Sequence, residues 1–429
     1  MKQIIRKSQV LRGSIAPPGD KSVSHRALIL NAIASGSATV TGLSSGEDVL
    51  STMRCLRGMG ARIEAGDEGT VTVHGSQDGL NEPEDILDAG NSGTTMRLLS
   101  GLLASQPFLS VLTGDRSLRS RPMGRIVQPL RLMGAHILGR HNDTLAPLTI
   151  RGGSLKGIEY TMPVASAQVK SSIMLAGLFA EGETVLHQPA HSRDHTERML
   201  KAMGGEVEED GLSLILRPAS LTAVDVTVPG DISAAAFWMV VGLCHPDARI
   251  TIRGVGVNLT RGGILETLEA MGGRIVQENH RLEGGEPVAD LVVESSDLVG
   301  TEVGGELIPK IIDEVPVLAV AACFAKGTTV IRDAQELRVK ESDRILTTVQ
   351  ELSQLGARIE ELPDGMVIHG TGRLIGGRCR SHGDHRLAMA LGVAGLLAEG
   401  ETEVDGAQDA NISYPQFWQH IQELTGSSS

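Results

Sequence analysis

The chain has 429 residues, 41% hydrophobic and 21% charged, with mean hydropathy near zero, which excludes wholesale disorder and predicts two or three domains. A formal charge of −13 argues against a dedicated nucleic-acid binder. Two Trp, two Tyr and five Phe are too few for base-stacking platforms. Cys55, Cys244, Cys323 and Cys379 are far apart, form no CxxC pair, and read as reduced core residues of a cytoplasmic protein. Residues 1–10 lack the apolar run of a signal peptide, and the longest apolar run, 234–244, is too short to span a bilayer. Neither nucleic acid nor membrane is therefore an expected partner.

In chain order, one small-residue signature recurs. It reads Met59-Gly60-Ala61, Met133-Gly134-Ala135, Met203-Gly204-Gly205, Met271-Gly272-Gly273 and Leu355-Gly356-Ala357, with Thr425-Gly426 a degenerate sixth copy. Spacings of 74, 70, 68 and 84 residues are too long for a simple solenoid. Each copy has the same grammar. An apolar helix comes first, predicted over 27–33, 96–103, 172–179, 234–243, 315–324 and 387–397. A glycine turn, a β stretch and a polar loop follow. An amphipathic helix such as 48–59 or 344–355 then stops at the signature glycine, as a left-handed C-terminal cap requires.

The pattern predicts an α/β fold of six βαβαββ units in two lobes. Residues 21–237 are read as units one to three, and 1–20 with 238–429 as units four to six. The crossovers are expected near 18–21 and 229–238, where Pro-Pro-Gly-Asp and Val-Pro-Gly-Asp share turn chemistry. Residues 426–429 read as a frayed tail.

The loop before each apolar helix is polar. It reads Lys21-Ser22-Val23-Ser24-His25-Arg26, then Asn91-Ser92-Gly93-Thr94-Thr95-Met96-Arg97, then Ser166-Ala167-Gln168-Val169-Lys170. Asp231-Ile232-Ser233, Asp313-Glu314 and His382-Gly383-Asp384-His385-Arg386 complete the set. Ser, Asn and Asp are natural helix caps, but capping does not call for Lys21, Arg26, Arg97 and Arg386 beside them. Cations gathered at helix N-termini predict an anionic ligand that satisfies both. The loops 116–125, Ser192-Arg193-Asp194-His195 and 338–344 are also rich in arginine or lysine, against the acidic trend of the chain. Arginine offers bidentate geometry to phosphate and carboxylate, so small polyanions bound between the lobes are expected.

Other motifs fail. There is no Walker sequence, no Rossmann context around Gly254-Val255-Gly256 and no nucleophile elbow. Pro189 interrupts the spacing of His187, His191 and His195, and His382 with His385 lacks a third ligand, so no metal and no cofactor is expected.

These motifs resemble the 5-enolpyruvylshikimate-3-phosphate synthase family, 3-phosphoshikimate 1-carboxyvinyltransferases. The resemblance rests on Asp20-Lys21-Ser22, Gly90-Asn91-Ser92-Gly93-Thr94-Thr95-Met96-Arg97, Arg121-Pro122-Met123, Ser166-Ala167-Gln168, the 338–344 segment and Gly383-Asp384-His385-Arg386. It implies a two-lobed inside-out α/β barrel. It implies transfer of the carboxyvinyl group of phosphoenolpyruvate to the 5-hydroxyl of shikimate 3-phosphate, with release of phosphate. By the same resemblance Lys21, Ser22, Arg26, Ser166, Gln168, Arg193, Asp313 and Lys340 bind shikimate 3-phosphate. Lys21, Gly93, Arg121, Gln168, Arg344 and Arg386 bind phosphoenolpyruvate. Asp313 is the implied base, Glu341 the implied proton carrier and Lys21 a further proton donor, with Asp48, Asn91, Thr94 and His385 supporting them. Glyphosate is the implied inhibitor and a monomer the implied state.

Ala167 stands where many relatives have serine, Leu98 where one branch has proline, and 411–415 lacks a lysine that some relatives carry. These departures resemble the second bacterial class. The alternatives are the sister enzyme that uses UDP-N-acetylglucosamine and a non-catalytic anion-binding module. Lys21-Ser22 and the absence of cysteine from 114–125 weigh against the sister enzyme, and Asp313 and Glu341 weigh against the second alternative.

Overall fold

The computed structural model describes residues 1–66, 69–76 and 79–426; the expected frayed tail beyond Gly426 lies outside the described residues. The signature glycines act as the repeat predicts. Gly60 and Gly356 each sit at φ 83°, a conformation that a β-carbon penalises, one residue past the helix C-caps Met59 and Leu355.

Among the described residues, twelve helices of eight or more residues form pairs, one pair per repeat. The first three pairs are α1 (Lys21–Ala32) with α2 (Glu47–Gly58), α3 (Gly93–Ala104) with α4 (Gly124–Leu132), and α5 (Ala167–Gly177) with α6 (His195–Ala202). The others are α7 (Ile232–Cys244) with α8 (Gly263–Ala270), α9 (Val315–Phe324) with α10 (Arg344–Gln354), and α11 (His385–Leu397) with α12 (Phe417–Thr425). The odd-numbered helices are buried on nearly every side. α7 buries every residue from Ile232 to Leu243, and α11 its entire length. Helices of this kind belong in a core. α7, α9 and α11 pack against one another, and α3 packs on α5. Gly101 permits that second approach, because an added β-carbon would overlap the Ser172 carbonyl.

The second repeat shows the unit most plainly. Its strands are Leu87–Asp88, Leu109–Thr113, His136–Gly139 and Leu145–Arg151, and its sheet order places a parallel pair beside two antiparallel ones. With α3 and α4 between the strands this is βαβαββ. Among the described residues, three other four-stranded sheets have the same order, the first repeat's takes its outer parallel strand from Val226–Thr227 later in the chain, and the sixth sheet has three strands.

By internal contacts the chain divides into an N-terminal unit, Gly19–Pro229 with Glu283–Glu286, and a C-terminal unit, Met1–Pro18, Gly230–Leu282 and Pro287–Ser429. A division at 237/238 would cut α7, a continuous helix; the chain divides before it. In each unit a strand next to a crossover completes a sheet whose other strands lie far from it in sequence. Val226–Thr227 pairs parallel to Ser37–Thr41 in the first repeat, and Leu11–Ile15 pairs parallel to Ala248–Gly256 in the fourth. Asp20 N donates to Pro229 O at 2.7 Å within one unit, and Asp231 N to Pro18 O at 2.8 Å within the other. No described helix is long and apolar enough to cross a membrane.

Candidate active site

Five of the six odd-numbered helices begin at a capping side chain. Asp20 caps α1 by accepting from Val23 N, Ser92 caps α3 through Thr95 N, and Ser166 caps α5 through Val169 N. Asp231 caps α7 through Ser233 N, and Asp384 caps α11 through Arg386 N. α9 differs: Glu314 occupies the cap position and makes no cap bond with its side chain. None of these helices has an acidic residue in its first turn, where the helix dipole favours one. Basic groups stand near several of these starts instead, among them Arg26 on α1, Arg97 on α3 and Arg386 on α11.

In the N-terminal unit, Lys21 Nζ lies 2.9 Å from Asp48 Oδ2, a pair that is mostly shielded from solvent. Arg26 is buried. It donates to Thr196 Oγ1 at 2.6 Å, Ser171 Oγ at 2.7 Å and the Ser22 carbonyl at 2.9 Å. Burial pushes its guanidinium down to about 10; Glu197 opposes that shift, while nearby Arg193 adds to it. Lys170 and Glu197 form a buried ion pair beside this group.

On α3 a second group assembles. Arg97 donates to Gln168 Oε1 at 2.7 Å, and Gln168 Nε2 donates to Thr94 Oγ1 at 3.0 Å. Arg121 donates to Asn91 Oδ1 at 2.8 Å, and Asn91 donates to Asp115 Oδ2 at 2.6 Å. Gly93 is the first residue of α3. A β-carbon there would lie 2.7 Å from Arg97 Nη1 and 3.3 Å from Arg121 Nη1, so its bare backbone faces two guanidinium groups. Thus Asp48, Asn91 and Thr94 each touch a cation or amide of the expected ligand set.

In the C-terminal unit one buried arginine organises the carboxylates. Arg344, at the start of α10, donates Nε to Asp384 Oδ2 at 2.7 Å, Nη2 to Glu341 Oε2 at 2.6 Å and Nη1 to Asp313 Oδ1 at 3.3 Å. Burial works against its charge, but Asp384, Glu341 and Asp313 more than offset that and hold it above the usual arginine range. Lys340 Nζ lies 3.6 Å from Asp313 Oδ1. Arg386 and His385 open α11 and are buried. The guanidinium of Arg386 has no ion pair among the described residues. Asp313 precedes the cap position of α9 rather than capping the helix.

Several members of these groups were not singled out from sequence. Asp384 lay in a recognised motif but reads only as a cap. Lys170 and Glu197 are 27 positions apart, and nothing local predicts their pairing. Beneath Lys21 runs a buried chain in which His25 Nδ1 meets Thr52 Oγ1, Thr52 meets Thr95 Oγ1, and Thr95 donates to Ser92 Oγ, each at 2.7 Å. Burial lowers the His25 pKa well below 6.5, with Lys21 and Arg26 adding to the effect. The unfolded chain therefore binds a proton that the folded one refuses once the pH falls below about 6.5, and stability drops as it does. The expected loss approaches about 1.4 kcal/mol per pH unit. Hydrogen exchange of α1 amides at pH 7 and pH 5 checks it; a slope unchanged in His25→Gln would refute the assignment.

Comparisons with known proteins follow the same lines. The enolpyruvyl transferase NikO from Streptomyces tendae, 18% identical, matches 98% of this chain and 96% of its own with a TM-score of 0.79, which places the fold among those of enolpyruvyl transferases. The model of the EPSP synthase (3-phosphoshikimate 1-carboxyvinyltransferase) family matches residues 5–421, and the chain belongs to that family. A curated 3-phosphoshikimate 1-carboxyvinyltransferase of Gloeobacter violaceus is 56% identical over 97% of both chains. One of Herpetosiphon aurantiacus is 53% identical over 99% of both. EPSP synthase from Acinetobacter baumannii, 44% identical, covers 98% of this chain and 97% of its own with a TM-score of 0.87. The reaction is transfer of the carboxyvinyl group of phosphoenolpyruvate to shikimate 3-phosphate, a step toward aromatic amino acids.

Proposed function

We propose that this carboxyvinyl transfer runs on the two clusters just described, with Asp313 and Glu341 moving the protons. Asp313 takes the proton of the 5-hydroxyl as its oxygen bonds to C2 of phosphoenolpyruvate. Glu341 gives a proton to the methylene carbon, C3, which makes C2 electrophilic. The product of this addition is a tetrahedral ketal phosphate. Elimination then breaks the C2–O bond to phosphate while Glu341 takes a proton back from C3. Lys21 contacts both substrates and gives its proton to the departing phosphate, and the hydroxyl proton held by Asp313 replaces it, so the balance closes. Ser22, Arg26, Ser166, Arg193 and Lys340 hold shikimate 3-phosphate, Arg121, Arg344 and Arg386 hold phosphoenolpyruvate, and Gln168 touches both. The observation that carries this reading is the buried Arg344 guanidinium, which brings the implied base and the implied proton carrier onto one cation.

The family resemblance favours a monomer, and four cysteines with no CxxC pair favour the cytoplasm. Phosphate release from phosphoenolpyruvate tests the reaction. Release should require shikimate 3-phosphate and fail with UDP-N-acetylglucosamine; release with the sugar nucleotide instead would favour the sister activity.

Glyphosate competes at the Gly93 side of this site. Gly93 opens α3 without a positive φ, so Gly93→Ala keeps the helix. The new methyl group crowds Arg97 and Arg121, and a ligand longer than phosphoenolpyruvate has less room to adjust. The inhibition constant for glyphosate should rise by a larger factor than KM for phosphoenolpyruvate, in a protein that melts normally. Equal factors would refute the steric account.

A further inference from the structure

We propose that Glu314 is a positioning residue that holds Asp313 in place for proton transfer, through a buried Ser233–Glu314–Arg261 assembly. The inference rests on the reading of Asp313 as the base. Glu314 follows Asp313 directly and is 1% exposed. Its carboxylate reaches the start of α7 instead of capping its own helix. Ser233 Oγ donates to Glu314 Oε1 and accepts from Arg261 Nη2 at 2.6 Å. Arg261 Nη1 stands 3.7 Å from Glu314 Oε1, and Nη2 lies 3.4 Å from Asp231 Oδ1.

This arrangement is costly for the fold alone. Two charges leave water, and a buried ion pair is often no better than packed apolar groups. Glu314 also forgoes the cap bond that the five other odd-numbered helices make. Its Oε2 is buried with no hydrogen-bond partner among the described residues. A serine at 314 would cap α9 at lower cost. What the glutamate adds is a tether from the residue after Asp313 to α7 and to the segment before α8. On its other side Asp313 meets Arg344 at 3.3 Å and Lys340 at 3.6 Å, so its carboxylate is placed jointly by these cations and by the backbone that Glu314 anchors. A displacement of about an ångström in a proton-transferring group lowers kcat steeply while leaving binding nearly intact.

The experiment is a double-mutant cycle on the full chain, with kcat, both KM values and melting temperature read for each variant. Glu314→Gln should lower kcat about tenfold and change either KM less than about twofold. Glu314→Ser should gain the α9 cap, which offsets part of the stability lost with the Arg261 partner, but should not restore kcat. In an Asp313→Asn background, adding Glu314→Gln should lower kcat by less than about twofold, because the two residues act as one unit. Wild-type kcat in Glu314→Gln, full rescue by Glu314→Ser, or an additive loss in the double variant would each overturn the proposal. Near-wild-type turnover in Asp313→Asn alone would instead overturn the base assignment, and this inference with it.

Discussion

Glu341→Gln and Asp313→Asn are each expected to lower kcat by about 10²-fold or more, the usual worth of a positioned acid or base. Both substitutions keep the shape of the side chain and remove its ability to carry the proton. Arg344 still has Asp384 as a bidentate partner through Nε and Nη2, so the cation stays in place and neither KM should move comparably. The two variants differ in what else they lose. Glu341 is read as the proton carrier at C3, so Glu341→Gln should suppress deuterium entry from D2O into the vinyl methylene. Asp313→Asn should instead slow bond formation to the 5-hydroxyl. Turnover near that of the unaltered enzyme in both variants would show the roles to be misassigned.

The largest effect on stability is expected at Asp384. It is fully buried, accepts two bonds from Arg344 and one from Ser342 Oγ at 3.1 Å, and caps α11 through Arg386 N. Asp384→Ala leaves a buried guanidinium without its bidentate partner, a change that costs about 3–5 kcal/mol in comparable buried pairs. The lost helix cap adds about 1 kcal/mol. Glu341 and Asp313 remain on Arg344, which keeps the total toward the lower end. Asp384→Asn retains an acceptor for the cap and should lose less. Trp238 and Trp418 both lie in the C-terminal unit, so their fluorescence in a denaturant titration reports this loss selectively. A midpoint unchanged in Asp384→Ala would show that the Arg344 network contributes little to stability.

Much of the architecture was legible because its signals are local. A glycine forced to positive φ ends a helix, Asp20, Ser92 and Asp384 begin one, and an all-apolar run such as 234–243 belongs in a core. Repetition of these signals gave the six units. Pairing over long sequence distances was not legible. No local pattern says that Leu11–Ile15 serves the fourth repeat and Val226–Thr227 the first, because a short parallel strand carries little sequence signature of its partner. Nor does it say that Glu283–Glu286, the turn between two strands of the fourth repeat, groups with the N-terminal unit, where Glu286 meets buried His195 at 2.8 Å. The site divides the same way. Residue types and helix starts pointed to polyanions. Which cation holds which carboxylate, and that Glu314 turns inward, depend on side-chain directions set by packing.

The strand Lys2–Arg6 lies antiparallel to Glu401–Asp405, with Lys2 opposite Asp405 and Arg6 opposite Glu401. It is translated ahead of this partner, which lies 395 positions further along the chain at Arg6 and Glu401. At roughly 5–20 residues per second the wait is on the order of 20–80 s. Over that interval the nascent chain carries an open strand edge, the kind of surface that recruits other chains. The N-terminal unit, nearly continuous in sequence from Gly19 to Pro229, can assemble meanwhile. The waiting segment is guarded by its own charges, Lys2, Arg6 and Lys7, which discourage pairing with a stray strand. Lys2 and Arg6 then become ion-pair partners of Glu403 and Glu401 once the sheet closes, so the residues that keep the edge apart during synthesis are the ones that fasten it afterwards.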